Sequence, residues 1–223
     1  MKVIILSAGR GERLRPLTDH TPKPLLKAGE KRLIEYTLHS LVKAGLTDIV
    51  INTAYLSEQF PVVLGNGEAY GATISYTTEG LNGLETAGGI INAQPLLGNE
   101  PFLVVNGDIW TDFPFEQLDC FTLAPSKLGH LVFVNNPEHN PNGDFSLSSG
   151  NVINGGENKV TYSGIAIFHP DLFKSYDVQK MALKPVFLAA ITKQQLSGQL
   201  YQGQWSDIGT AERLEKLAQY IKH

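Results

Sequence analysis

The chain has 223 residues and 24.4 kDa, enough to bury roughly 70% of its unfolded surface around one α/β core without disulfides or a structural metal. With 42% hydrophobic residues, 18% charged residues and one cysteine, it is neither disordered nor a disulfide or multi-cysteine metal framework. The net charge of −4 is uneven: residues 1–32 carry +5 and the rest −9, a pattern that favours a small anionic ligand near the start and argues against nucleic acid as partner.

Val3–Leu6 is a continuous apolar run that breaks into Ser7-Ala8-Gly9, as a buried strand does on entering a loop. Leu33–Ala44 places Leu33, Tyr36, Thr37, Leu41 and Ala44 on one helical face and stops at Gly45. Asp48–Asn52 and Ala72–Tyr76 read as the next strands. Thr86 is expected to N-cap a helix through Ala93, and Phe102–Val105 is a fourth strand running into Asn106-Gly107-Asp108. Beyond it the pattern becomes irregular. Leu131–Val134, a hairpin over Phe145–Ile153 and Ser163–Phe168 read as strands, the tract from Asn135 to Asn158 is rich in turn residues, and Leu183–Lys193 and Thr210–His223 close as helices. No repeat or linker divides the chain. The reading is one domain, with a ligand-binding half over about residues 1–110 completed by residues 111–223, and with ligands beyond the carboxyl ends of the strands. No signal peptide or membrane span is expected, and the cytoplasm is the default compartment.

The chemistry concentrates in Leu6-Ser-Ala-Gly-Arg-Gly-Glu-Arg-Leu-Arg-Pro-Leu-Thr18 and Pro22-Lys-Pro-Leu25. A dinucleotide fingerprint would need glycine where Leu14 stands, and a Walker A loop would need Gly-Lys after four residues; neither fits. A Gly9-x-Gly11 loop lets backbone amides approach a polyphosphate, and Pro22 and Pro24 stiffen the presentation of Lys23. A fixed ammonium at a phosphorus that gains charge serves phosphoryl or nucleotidyl transfer.

Asp108 follows a buried strand and a glycine, a placement suited either to a hard cation such as Mg²⁺ or to capping the next turn. Asp207 precedes the last helix and reads as a cap or a ligand. Glu79 could accept from the imide of uracil or thymine, or from guanine, or lie as an exposed loop acid. Asn106 could bond a sugar or ribose, and Asp144 either sugar hydroxyls or its own turn. The histidines show no paired ligand spacing, His39 reads as exposed, and Cys120 reads as a buried small residue rather than a nucleophile.

The string G-x-G-x-R-L-x-P-L-T followed by P-K-P-L resembles the signature of the sugar-1-phosphate nucleotidyltransferases, with supporting features over nearly the whole chain. The resemblance implies a Rossmann-like three-layer αβα sandwich with a mixed central sheet. It also implies that Ala8, Gly9, Gly11, Glu12 and Arg13 bind the nucleoside triphosphate and that Lys23 stabilises its α-phosphate. Asp108 and the Asp207 of Trp205-Ser-Asp-Ile-Gly-Thr210 would hold Mg²⁺, and Leu84-Glu-Thr86-Ala-Gly-Gly89 would accommodate the base and sugar.

The short form, with Glu12 in place of a frequent Ser or Thr and no C-terminal β-helix, is most similar to the N-acetylmuramate 1-phosphate uridylyltransferases of peptidoglycan recycling. Ala87 stands where that subgroup is expected to carry glycine. UTP, a sugar 1-phosphate and Mg²⁺ are the implied ligands, and a monomer is the default. Mannose-1-phosphate guanylyltransferase and a non-catalytic nucleotide-sugar sensor are the alternatives.

Overall fold

The computed structural model describes residues 1–80 and 83–222. The strands are β1 (Lys2–Leu6), β2 (Lys27–Ala28), β3 (Lys31–Arg32), β4 (Asp48–Thr53), β5 (Thr73–Thr78), β6 (Phe102–Asn106) and β7 (Ile109–Thr111) in the first half. They continue with β8 (Gly129–Val134), β9 (Phe145–Ser148), β10 (Asn151–Ile153), β11 (Lys159–Phe168), β12 (Leu196–Tyr201) and β13 (Trp205–Asp207). The helices are α1 (Leu33–Lys43), α2 (Gln59–Leu64), α3 (Glu85–Leu97), α4 (Glu116–Asp119), α5 (Leu183–Thr192) and α6 (Ala211–Tyr220).

Nine strands form one mixed sheet in the order β5-β4-β1-β6-β11-β8-β12-β10-β9. The β5-β4-β1-β6 half is parallel, β11 reverses against β6, and β12 returns parallel to β8. Parallel strands bury both faces, which is why β1, β4 and β6 read as unbroken apolar runs. Ile5 and Ile51 pack with α1 and α2 on one face, and Ile4 and Val50 pack with α3 and α5 on the other, giving the three layers. A smaller cluster of Leu14, Ala28, Leu33, Ile208, Leu214 and Leu217 ties the segment after the glycine loop to α6. Among the described residues no helix is long and apolar enough to cross a membrane.

The first four expected strands form, as do the 145–153 hairpin and both closing helices; His223, the last position expected in the final helix, lies outside the described residues. Thr86 does not cap a helix. The chain turns into α3 at Glu85, whose φ is +58°, and the Met181 carbonyl accepts from the Ala87 and Gly88 amides at 3.0 and 3.2 Å. The cap comes from a distant segment, so Thr86 lies within the first turn. The helix also continues past Ala93 to Leu97 with Pro95 inside it. Cys120 is exposed, because it follows the short surface helix α4 rather than entering the core. The strands β7, β12 and β13 were not expected from the sequence; β12 alternates buried and half-exposed residues around Gly198, a weak apolar signal.

Candidate active site

In the register of the sheet, Leu6 stands opposite Asn52 on one side and Asn106 on the other, so β1, β4 and β6 all end at one edge. The loops that leave there line a cavity of about 570 Å³. Ala8, Gly9, Gly11, Glu12, Arg13, Lys23, Glu79, Thr86, Asn106 and Asp108 all contribute to its wall. Of the residues singled out in the sequence, Asp144 and Asp207 do not. Asp144 lines a neighbouring cavity, and Asp207 stands behind the wall at Gly209.

The glycine loop has two distinct requirements. Gly11 adopts a left-handed φ of +65° at the start of a single 3-10 turn over Glu12–Leu14, and its α-carbon lies against Lys23 and Thr18; an added Cβ would be 3.1 Å from Lys23 Cβ and 3.0 Å from Thr18 Cγ2. The Thr18 hydroxyl donates to the Gly11 carbonyl at 2.9 Å and fixes the turn. Gly9 is different. It does not have a positive φ, and an added Cβ would touch nothing within 4 Å; what it would occupy is the cavity itself. Gly9→Ala is therefore expected to leave the melting temperature unchanged and to raise the KM for the triphosphate that the sequence resemblance implies by roughly tenfold, read by paired melting and pyrophosphate-release assays.

Lys23 opens the third 3-10 turn, over Lys23–Leu25, and is only 7% exposed. Its Nζ donates to Asp108 Oδ2 at 2.6 Å. Asp108 lies between β6 and β7, where Gly107 is required for space: a Cβ there would meet Ser7 Oγ at 2.6 Å and the Leu6 carbonyl at 2.8 Å. Glycine at that position lets the loop after β6 cross directly over the start of the glycine loop, which sets Asp108 beside Lys23.

The C-terminal segment joins the same place. β13 pairs antiparallel with β7, setting Asp207 opposite Ile109, and the Ile208 amide donates to the Asp108 carbonyl at 2.7 Å. The two aspartates thus come from adjacent positions of facing segments. Thr210, not Asp207, caps α6, accepting from the Arg213 amide at 3.3 Å. The Asp207 carboxylate is held by Arg213 and, at 2.9 Å, by His139. Gly209 leaves room for the guanidinium groups of both Arg13 and Arg213, either of which an added side chain would crowd.

Glu79 is fixed from two sides. One carboxylate oxygen accepts from the Asn52 side-chain amide and the other from the Leu84 amide at 2.5 Å. Burial pushes its pKa up, while the two hydrogen bonds oppose that rise. Gly89 packs beneath it, since a Cβ there would collide with Glu79 and Asn52. Asn52 also accepts from the Ser7 amide at 2.7 Å and so joins the start of the glycine loop to Glu79. The sequence reading missed Asn52, although an amide at the carboxyl end of a buried strand was a signal that could have found it. It also missed Arg10, which stacks 5.2 Å over the Tyr55 ring at the cavity wall. The Ala87 methyl is fully buried in the core beneath α3, so the added carbon projects into the protein interior.

Known proteins resemble this chain over its whole length. The family model described as nucleotidyl transferase matches residues 2–223. The N-acetylmuramate alpha-1-phosphate uridylyltransferase of Neisseria meningitidis serogroup B is 48% identical over 97% of this chain and 96% of its own. The mannose-1-phosphate guanyltransferase of Hypocrea jecorina is 34% identical over 94% of this chain, which spans 61% of that protein. A putative glucose-1-phosphate thymidylyltransferase from Bacillus anthracis superposes with a TM-score of 0.88 at 21% identity, covering all of this chain and 95% of that one. HddC from Yersinia pseudotuberculosis, solved with GMP-PN, gives 0.82 at 21% identity over 99% of each chain. These last two share the fold. With the mixed sheet, the glycine loop and the Lys23–Asp108 pair in one cavity, and a family match over almost every residue, the chain belongs to the nucleotidyl transferase family.

Proposed function

We propose that this enzyme transfers UMP from UTP to N-acetylmuramate 1-phosphate, giving UDP-N-acetylmuramate and pyrophosphate. The observation that carries the chemistry is the buried Lys23 ammonium, held at 2.6 Å from Asp108 in a cavity walled by the glycine loop. The near full-length likeness to the Neisseria enzyme supports the choice of base and sugar. The reaction is a single in-line displacement: an oxygen of the sugar phosphate attacks the α-phosphorus of UTP, the bond to the bridging oxygen breaks, and pyrophosphate leaves with the electron pair. The attacking phosphate oxygen is already anionic, so no general base is required.

Backbone groups of the Ala8–Arg13 loop and the Arg13 guanidinium hold the β- and γ-phosphates, and Lys23 neutralises charge gathering on the α-phosphate. Thr86 and the α3 segment border the base and ribose, with Glu79 facing the base. Asn106 and Asp144 face the sugar.

The donor set also suits a divalent ion. Two carboxylates, Asp108 and Asp207, on adjacent positions of facing segments would supply hard oxygen ligands in place of their present partners Lys23 and Arg213, and Mg²⁺ takes one or two such groups from protein when phosphates complete its shell. When bound, Mg²⁺ would screen phosphate charge. This reading assigns the chain to peptidoglycan recycling in the cytoplasm, acting as a monomer.

The test is pyrophosphate release in Mg²⁺, with UTP, GTP, dTTP and CTP crossed against the 1-phosphates of N-acetylmuramate, N-acetylglucosamine, glucose and mannose. Turnover highest with UTP and N-acetylmuramate 1-phosphate is expected. Turnover confined to GTP and mannose 1-phosphate would move the enzyme to the activity named for the Hypocrea relative, and triphosphate binding without release from any sugar phosphate would make it a sensor.

A further inference from the structure

A second cavity of about 270 Å³ adjoins the first and shares Thr86 and Asn106 with it. Phe145, Tyr162 and Phe187 line it, with Tyr162 and Phe145 each edge-on to Phe187 at ring-centroid distances of 5.4 and 6.0 Å. That wall is apolar and rigid. Its polar groups divide by sign. Asp144 brings a carboxylate whose oxygens already accept from the Tyr162 amide at 2.9 Å and the Asn140 side chain at 3.3 Å. Remaining lone pairs there suit hydroxyl donors.

The donor is Lys184. Lys184 is exposed in the first turn of α5, whose N-cap is Ala182 and carries no side-chain cap, so free backbone amides accompany its ammonium. The neighbouring Lys180 and Lys174 are paired with Glu85 and Asp171; none of the ion pairs among the described residues includes Lys184. The Tyr162 hydroxyl is buried out of reach of the cavity, so it is the ring of this residue that lines the wall. An unpaired ammonium at the edge of an apolar cavity suits an anionic oxygen from the ligand.

We infer that this second cavity is a carboxylate-reading subsite for the sugar phosphate, in which Lys184 binds an acid group carried on the sugar ring. The inference rests on the function proposed above, in which the sugar carries a lactyl ether; the aromatic wall then takes the lactyl methyl and Asp144 the ring hydroxyls. It makes Lys184 the residue that separates an acidic amino sugar from its neutral parent.

The experiment compares N-acetylmuramate 1-phosphate with its lactyl carboxamide, which keeps the shape and removes the charge, at saturating UTP. The wild-type enzyme is expected to show a KM about tenfold higher for the amide. Lys184→Ala should raise the KM for the acid by about tenfold, erase the difference between the two substrates and leave the KM for UTP unchanged, while Lys184→Arg restores part of the discrimination. A Lys184→Ala enzyme that still prefers the acid as wild type does would overturn the subsite while the proposed function stands. A wild-type enzyme active only on other sugar phosphates would instead overturn the function, and this subsite with it.

Discussion

Lys23→Ala should lower turnover by roughly 10²-fold or more while the protein remains folded, by the measure of losing one preorganised group that stabilises developing charge. The side chain is positioned at both ends. Its stem lies against Gly11, its ammonium is held by Asp108 at 2.6 Å, and the flanking prolines fix the backbone on each side. The positive charge therefore needs no reorganisation when the α-phosphorus gains charge. Removing it exposes a single carboxylate that still reaches water, with 37% of the Asp108 side chain exposed, so the stability cost is about 1 kcal/mol or less. Pyrophosphate release and a thermal melt on the same preparation separate the two effects. Turnover close to that of wild type in a folded variant would remove Lys23 from the chemistry.

Asp108→Asn should cause a loss of similar size, roughly 10²-fold, with a further signature: a higher Mg²⁺ concentration for half-maximal rate. Asparagine keeps the shape and one acceptor for Lys23 but discards the charge, so the fold is expected to persist. Because the two side chains form one hydrogen-bonded unit, the double variant Lys23→Ala/Asp108→Asn should lose far less than the product of the single losses. Losses that simply multiply would show that Lys23 and Asp108 act independently and would contradict the shared site.

The sequence revealed most readily those parts that obey local rules. The strands β1, β4 and β6 are buried on both faces, which forces unbroken apolar runs that cannot be mistaken for solvent-facing segments. The glycine loop was equally legible, because Gly9, Gly11, Arg13 and the proline-flanked Lys23 stand close together in the sequence. What escaped was non-local. The cap of α3 is supplied by Met181, far along the chain, so the hydroxyl of Thr86 was a false clue. The short ladder of β7 with β13 has only three residues on each side and no apolar alternation, yet it brings the Asp207 segment to Asp108. Arg213 and His139, which hold Asp207, come from a helix and a turn with no motif of their own. Lys184 looked like any exposed helix lysine, and only the cavity beneath it gives the residue a role.

The β7–β13 ladder also makes the site a property of both halves of the sequence. The parallel strands β5, β4, β1 and β6 and the glycine loop come from the first half. Asp207 and the anchoring leucines of α6 come from the second, and the contacts that fasten them are long-range ones, of the kind that close slowly. Asp108 and Asp207 therefore meet only once the two halves have come together.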